Sequence, residues 1–265
     1  MGIERRVQVE LNRIETEESV KIIFAVESGS RAWGFPSKDS DYDVRFVYAR
    51  EPWWYISVYR GRDVIERPIT DDLDISGWDL QKAFGLLRKS NPALMEWLNS
   101  PILYRELSPH ADSFRQLSKQ TFLPLASCHH YLSMARKHKS RSDRKKQVRL
   151  KHYLYTIRPC LAARWVIEYG TQPPMQFAKL VNTFLPKGDI RNIVDSLIKI
   201  KSSATEIDVV DRIPPLDQFI AQELDTLIAN LPKKKAAFSR DECNRLFRTM
   251  LKNCWHLRCR CHTLL

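Results

Sequence analysis

Asp41 and Asp43 stand two residues apart in DSDYDVRFVYA (39–49). Tyr42, Val44 and Phe46 alternate with Asp41, Asp43 and Arg45, which predicts a β-strand carrying both carboxylates on one face. Acids crowded together repel one another unless cations neutralise them. Mg²⁺ suits that role, with Mn²⁺ as the alternative, because it takes oxygen ligands and keeps positions open for water and phosphate. Two such ions about 4 Å apart would stabilise both the attacking and the leaving oxygen of an in-line displacement at phosphorus. A third acid is expected from a neighbouring strand. DLDIS (72–76) alternates as well, with Leu73 and Ile75 inward and Asp72 and Asp74 outward. Asp74 is the choice and Asp72 the alternative.

Paired aspartates alone are common on protein surfaces. The context upstream is rarer: the apolar run VKIIFAV (20–26) is followed within three residues by Gly29-Ser30. Gly29 permits close backbone approach, and the peptide N–H groups with the Ser30 hydroxyl suit the β- and γ-phosphates of an NTP. Arg31 and Arg45 flank these motifs, either as phosphate contacts or as charge balance for the acids.

The elements that must position these groups follow from periodicity. Ile3, Val7, Leu11 and Ile14 predict an amphipathic helix over 3–18, followed by a buried strand at 20–26, a turn-rich connection at 27–41 and a strand at 42–49. A further strand and an exposed loop are expected within 51–71, then the strand that carries Asp74. Beyond Gly77 the pattern turns helical, with Asp79 as an N-cap and Asn91-Pro92 restarting a helix. From about 106 onward, apolar helical segments alternate with proline breaks, and the second half reads as all-helical. The fold class is α+β, divided into a catalytic unit (1–105) and a basic helical unit (106–265).

Charge supports that division. Residues 1–105 carry 15 Lys and Arg against 17 Asp and Glu, whereas 106–265 carry 28 against 14, which together make the net +12. The second half thus attracts polyanions. The densest run, ARKHKSRSDRKKQVRLK (135–151), holds nine cations and the single acid Asp143. Arg141, Arg144, Lys145, Lys146 and Arg149 are its candidate nucleic-acid contacts. At 100° per residue, Arg144, Lys151, Tyr155 and Arg158 share one helical stripe beside an apolar one of Leu150, Leu154, Ile157, Leu161 and Trp165. Lys151 and Arg158 would then meet triphosphate, and Tyr155 the base or ribose. Trp33, Trp53, Trp54 and Trp78 are candidate stacking surfaces, or packing residues.

No apolar run approaches the ~18 residues of a membrane span, and the charged N-terminus lacks a secretory pattern, so a cytoplasmic protein is expected. The six cysteines read as thiols. Cys254, His256, Cys259, Cys261 and His262 crowd one tail, but without paired C-x-x-C knuckles a zinc site there is the lesser reading. No Ser-His-Asp or Cys-His nucleophile arrangement is readable, and His129, His130 and His138 are taken as structural or surface residues.

The stretch ESGSRAWGFPSKDSDYDVR (27–45) resembles the signature of the DNA polymerase β-type nucleotidyltransferases. More narrowly it resembles their RlaP-like, YcgL-related group, which is associated with RNA repair. Further similarity runs through 74–104 and 150–177, so the resemblance spans at least 27–177. It implies a small mixed β-sheet with flanking helices, followed by a helical nucleotide- and substrate-binding domain. It also implies Gly29 and Ser30 as the triphosphate grip, Asp41 and Asp43 as ligands of two metal ions, and Asp74 as the third carboxylate, which activates the attacking hydroxyl. The expected reaction moves an NMP from an NTP to an acceptor hydroxyl and releases pyrophosphate. The basic run favours an RNA end as acceptor, tRNA-like or broken. An AMP transferase acting on protein or a small molecule, and a non-catalytic RNA- or nucleotide-binding module, are the alternatives.

Overall fold

A computed structural model describes residues 2–59, 61–70, 72–142, 146–203, 209–235 and 238–255. Its centre is a five-stranded mixed sheet: β1 (Val20–Glu27), β2 (Tyr42–Arg50), β3 (Val64–Glu66), β4 (Leu73–Asp79) and β5 (Leu103–Glu106), in the order β3-β4-β2-β1-β5. β2 and β4 run parallel, and the other neighbours are antiparallel.

Both faces of the sheet are covered, which is why β1 reads as a continuous apolar run rather than an alternating one. On one face lies α1 (Ile3–Glu18), whose Val7, Leu11 and Ile14 are fully buried against Val44, Phe46 and Ile75. A bulge between Ile22 and Phe24 turns both Ile23 and Phe24 to the opposite face, with Val47 and Ala49. Gly77 pairs with Phe46, and a Cβ there would lie 2.3 Å from the Phe46 ring, so only glycine lets the two strands close over that side chain.

The opposite face carries α4 (Leu80–Leu87) and α5 (Pro92–Leu98). Asp79 caps α4 by accepting from the Gln81 N–H at 2.7 Å, and Asn91 caps α5 by accepting from the Leu94 N–H at 3.2 Å, with Pro92 at the first helical position. The apolar core on this side continues without a break into α6 (His110–Thr121), α7 (Pro124–Ser142), α8 (Leu150–Tyr169), α9 (Phe177–Phe184), α10 (Asp189–Ser203), α11 (Pro214–Ala229) and α12 (Arg240–Cys254). The α+β class is therefore as the sequence indicates.

Three local features depart from the sequence reading. The turn-rich connection contains a short helix, α2 (Gly29–Trp33), and another, α3 (Pro52–Tyr55), follows β2. β5 closes one sheet edge over residues to which the sequence reading assigns no element. The second half is not all-helical: β6 (Gln147–Arg149) and β7 (Val209–Asp211) form an antiparallel ribbon. Strands of three or four residues are too short to show alternation, and pairing with a distant partner creates them. The β6 strand also precedes α8 directly: α8 starts at Leu150, so the helical stripe of Lys151, Tyr155 and Arg158 does not extend back through Gln147–Arg149. Arg144 and Lys145 themselves lie outside the described residues.

Candidate active site

Asp43 and Asp74 are paired Cα partners on the parallel strands β2 and β4, near the N-terminal end of each. Parallel register sends both side chains to the same face. One nitrogen of the Arg45 guanidinium, Nη2, donates to Asp43 Oδ1 at 3.0 Å and to Asp74 Oδ2 at 2.7 Å, so both carboxylates reach a common point. Arg45 Nη1 also donates to the Asp74 carbonyl at 2.9 Å. Burial pushes the Asp43 carboxyl above its ordinary range; Arg45 pulls it down, while Asp74 and Asp41 push it up further.

Asp41 precedes the strand and is exposed. It lies within electrostatic reach of Asp43 but outside the Asp43–Asp74 bridge. Its position depends on the 35–41 loop. Arg31 donates to the Ser40 carbonyl at 2.7 Å and to the Asp41 carbonyl at 3.2 Å, and its guanidinium stacks 3.7 Å from the Tyr42 ring centroid. Ser37 and Ser40 share a hydroxyl–hydroxyl hydrogen bond of 2.7 Å, and the fully buried Lys201 of α10 donates to Ser37 Oγ at 3.4 Å. Lys201 is a buried cation that helical spacing did not single out.

Asp72, the alternative third acid, takes another direction: it pairs with Arg6 of α1 at 2.9 Å. The alternation of β4 does not extend back to it. Of the two, Asp74 is the one that shares an Arg45 nitrogen with Asp43.

Gly29 holds the other side of Asp43. Its φ is +61°, and a Cβ there would sit 2.1 Å from Asp43 Oδ2. The Gly29-Ser30 backbone is thus pressed against the carboxylate, a placement open only to glycine. The strand pairing continues into this turn through the Ser28 N–H, which donates to the Asp43 carbonyl at 2.8 Å. Ser30 itself is buried.

Glu27, the last residue of β1, escaped the sequence reading. It is fully buried, accepts from the Asp43 N–H at 2.9 Å and accepts from the Tyr104 hydroxyl at 2.5 Å. Burial raises its pKa, and the Tyr104 and Asp43 hydrogen bonds oppose that rise. A carboxylate ending an apolar run directly before Ser-Gly-Ser was the available signal.

The donor set is chemically suited to a divalent cation: Asp43 and Asp74 point carboxylate oxygens at one place, and the positive charge now found there belongs to Arg45. Among the described residues, no three acid, cysteine or imidazole side chains form a preassembled ligand cluster. Asp41 is the acid left outside.

Beside Asp43 opens a cavity of about 270 Å³, lined by Ser28, Gly29 and Asp43 and by an aromatic and apolar wall that includes Trp33, Trp97 and Met134. The α8 residues expected to face nucleotide lie behind this wall. Tyr155 packs edge-on against Trp33 at 5.3 Å and against His138 at 5.4 Å. Arg158 is only 2% exposed, pairs with Glu96 at 2.9 Å and lies 4.2 Å from the Trp33 ring centroid. It is a buried ion pair rather than a solvated cation on a cleft face. Lys151 is half-buried near His138. Arg141, Lys146 and Arg149 are exposed around the α7–β6 junction.

The other aromatic candidates divide. Trp78 stacks on Trp97 at 3.8 Å, Trp54 packs edge-on against Tyr55, and Trp53 is exposed. Cys128, Cys160, Cys243 and Cys254 are buried thiols, and burial raises Cys128 to about 12 and Cys254 to about 11. The remaining members of the proposed zinc tail, His256, Cys259, Cys261 and His262, lie outside the described residues.

Against known proteins, residues 3–249 match the family described as RlaP, RNA repair pathway DNA polymerase beta family. The chain belongs to this family. It is 43% identical over 255 residues to the "Uncharacterized protein YcgL" of Bacillus subtilis (strain 168), covering 96% of this chain and 98% of that one. It is also similar to a nucleotidyltransferase-like protein from Exiguobacterium sibiricum 255-15, at 14% identity and a TM-score of 0.31, covering 98% of this chain and 81% of the other. This RlaP-family chain is a polymerase β-type nucleotidyltransferase. Nucleotidyltransferases of this superfamily typically use divalent metals. No helix among the described residues is long and apolar enough to cross a membrane.

Proposed function

We propose that the protein transfers an NMP from an NTP to the terminal hydroxyl of an RNA, releasing pyrophosphate, with the NTP and RNA ends as its partners. The observation that carries this reading is the in-register pair Asp43–Asp74, with Asp43 pressed against Gly29. Asp43 and Asp74, joined by Asp41, would hold two Mg²⁺ or Mn²⁺ ions. When bound, these supply charge stabilisation to the attacking and leaving oxygens. Gly29 and Ser30 present backbone and hydroxyl to the triphosphate. Asp74 receives the proton of the attacking hydroxyl at its carboxylate, because it shares the Asp43 face without being pressed against Gly29. Glu27 fixes Asp43 through its peptide N–H.

The RNA acceptor rests on the family's repair context and on the exposed cations Arg141, Lys146 and Arg149, which suit a phosphate backbone. The test is an NTP-by-acceptor screen with Mg²⁺ and with Mn²⁺, using RNA ends, total protein and small polyols, with Asp43→Ala as the control. Label incorporated into RNA by the wild type and lost in the variant supports the reading. Label confined to protein or polyol removes the RNA acceptor, and no pyrophosphate release under any condition removes the transferase.

A further inference from the structure

The cavity beside Asp43 has the wrong walls for phosphate and the right ones for a flat heteroaromatic ring. Away from the acid its lining is mainly apolar, with Trp33, Trp97 and Met134, Pro92 and Ala93 of α5, and the His130 ring. Anions gain nothing from such surfaces, whereas a nucleobase stacks on aromatic faces whatever its identity. At about 270 Å³ the space is close to the lower bound of ligand pockets, about 300 Å³, which fits one base rather than a whole nucleotide. It opens directly onto Asp43 and Gly29, so a base placed there keeps its phosphates within reach of the acids.

Besides Asp43, one further carboxylate lines this space. Glu96 is 8% exposed and is held on three sides. Its Oε1 accepts from the Tyr131 hydroxyl at 3.2 Å and from Arg158 Nη2 at 2.9 Å, and its Oε2 accepts from Trp33 Nε1 at 3.2 Å. Arg158 is itself anchored by donating to the Met175 carbonyl at 3.2 Å. An ionised carboxylate offers about four acceptor positions, so with three taken Glu96, which lines the cavity, retains one for a further donor. An acceptor fixed this firmly accepts an N–H and repels a carbonyl oxygen. Adenine, guanine and cytosine each present an exocyclic amino group, whereas uracil presents carbonyl oxygens on both sides of its single ring N–H.

We infer that this cavity is the base subsite for the incoming NTP and that Glu96 selects bases bearing an amino group over uracil. The inference rests on the nucleotidyltransferase reading for the direction of the phosphates, and on the cavity alone for the base.

The experiment is calorimetric titration of the full chain with ATP, GTP, CTP, UTP and inorganic tripolyphosphate, read as binding without turnover. Expected is at least tenfold weaker binding of UTP than of the other three nucleotides, with UTP near tripolyphosphate. Glu96→Gln, whose amide offers donors as well as an acceptor, should shrink that preference below threefold. Ala93→Phe should fill the cavity and erase the preference while leaving tripolyphosphate affinity in place, and it decides the matter if Glu96→Gln does not fold. Equal affinity for all four nucleotides in the wild type, or a preference that survives in the folded variants, overturns the inference. A protein that binds nucleotides with this preference but transfers nothing would sink the transferase reading and leave the base subsite standing. Transfer without base preference would do the reverse.

Discussion

Asp43 and Asp74 face each other across parallel strands, and a single nitrogen of Arg45 lies 3.0 Å from the first and 2.7 Å from the second. The proposed metal and phosphate chemistry depends on that convergence. It arises from backbone register rather than from proximity in sequence.

If both acids act in the transition state, Asp43→Ala and Asp74→Ala should each lower kcat by about a thousandfold or more, the scale of losing a charge stabiliser at the reacting centre. Neither should unfold the protein, since each removes a crowded negative charge. Asp72→Ala should stay within a few-fold of wild type, because its partner is Arg6 on the far face. Steady-state kinetics beside thermal melts of the three variants check this. An Asp72 variant as inactive as the Asp74 variant would contradict the assignment.

Arg45→Met leaves the two carboxylates without their counter-charge. With each acid side chain about 30% exposed, the loss in stability should be about 1–2 kcal/mol, less than for a fully buried pair because of solvent screening. A divalent cation can take over the neutralising role, so millimolar Mg²⁺ should recover most of the lost melting temperature in the variant and add less to the wild type. Equal deficits in EDTA and in Mg²⁺ would show that no cation replaces the guanidinium.

Gly29→Ala tests the contact on the other side of Asp43. The added methyl meets Asp43 Oδ2 at 2.1 Å and the backbone has φ +61°, so both the side chain and the turn must shift. A stability cost of about 1–3 kcal/mol is expected for the strained backbone. The displaced acid should cost about a hundredfold in activity, the scale of an ångström of misplacement. A folded Gly29→Ala variant with wild-type kcat would separate this turn from the chemistry.

His138 provides a pH dependence away from the acids. Burial lowers its pKa to about 4, with Arg141, His152, Lys137 and Lys151 adding repulsion. The folded state therefore prefers the neutral ring while the unfolded chain titrates near 6.5, so this stability is complete above about pH 6.5 and is lost as pH falls toward 4. Because the ring is only half-buried, about 1–2 kcal/mol is expected rather than the full value of the shift. Denaturation midpoints of wild type and His138→Gln should converge between pH 6.5 and 4.5. Parallel curves over that window would remove His138 as the source.

The local grammar of this chain is written in its residues. Val7, Leu11 and Ile14 bury one face of α1, Asp79 and Asn91 cap their helices, and the β1 and β2 patterns mark strands, because each depends on neighbours a few positions away. Glu27 was overlooked for the opposite reason. Its value lies in meeting Asp43, sixteen residues on, and Tyr104, seventy-seven residues on, and no local period reports such meetings. The short strands β5, β6 and β7 escaped notice similarly, since each exists only through its partner.

The sequence by itself determined the α+β class, the paired acids after a Gly-Ser turn, and the basic character of the second half, because composition and short-range periodicity are properties of the chain alone. Tertiary structure alone decided that Asp74 rather than Asp72 joins Asp43, that Arg45 sits between them, and that Arg158 turns inward to Glu96 behind Trp33. These are choices among side chains of the same kind, and they are settled by strand register and by which charge finds a partner as the core closes.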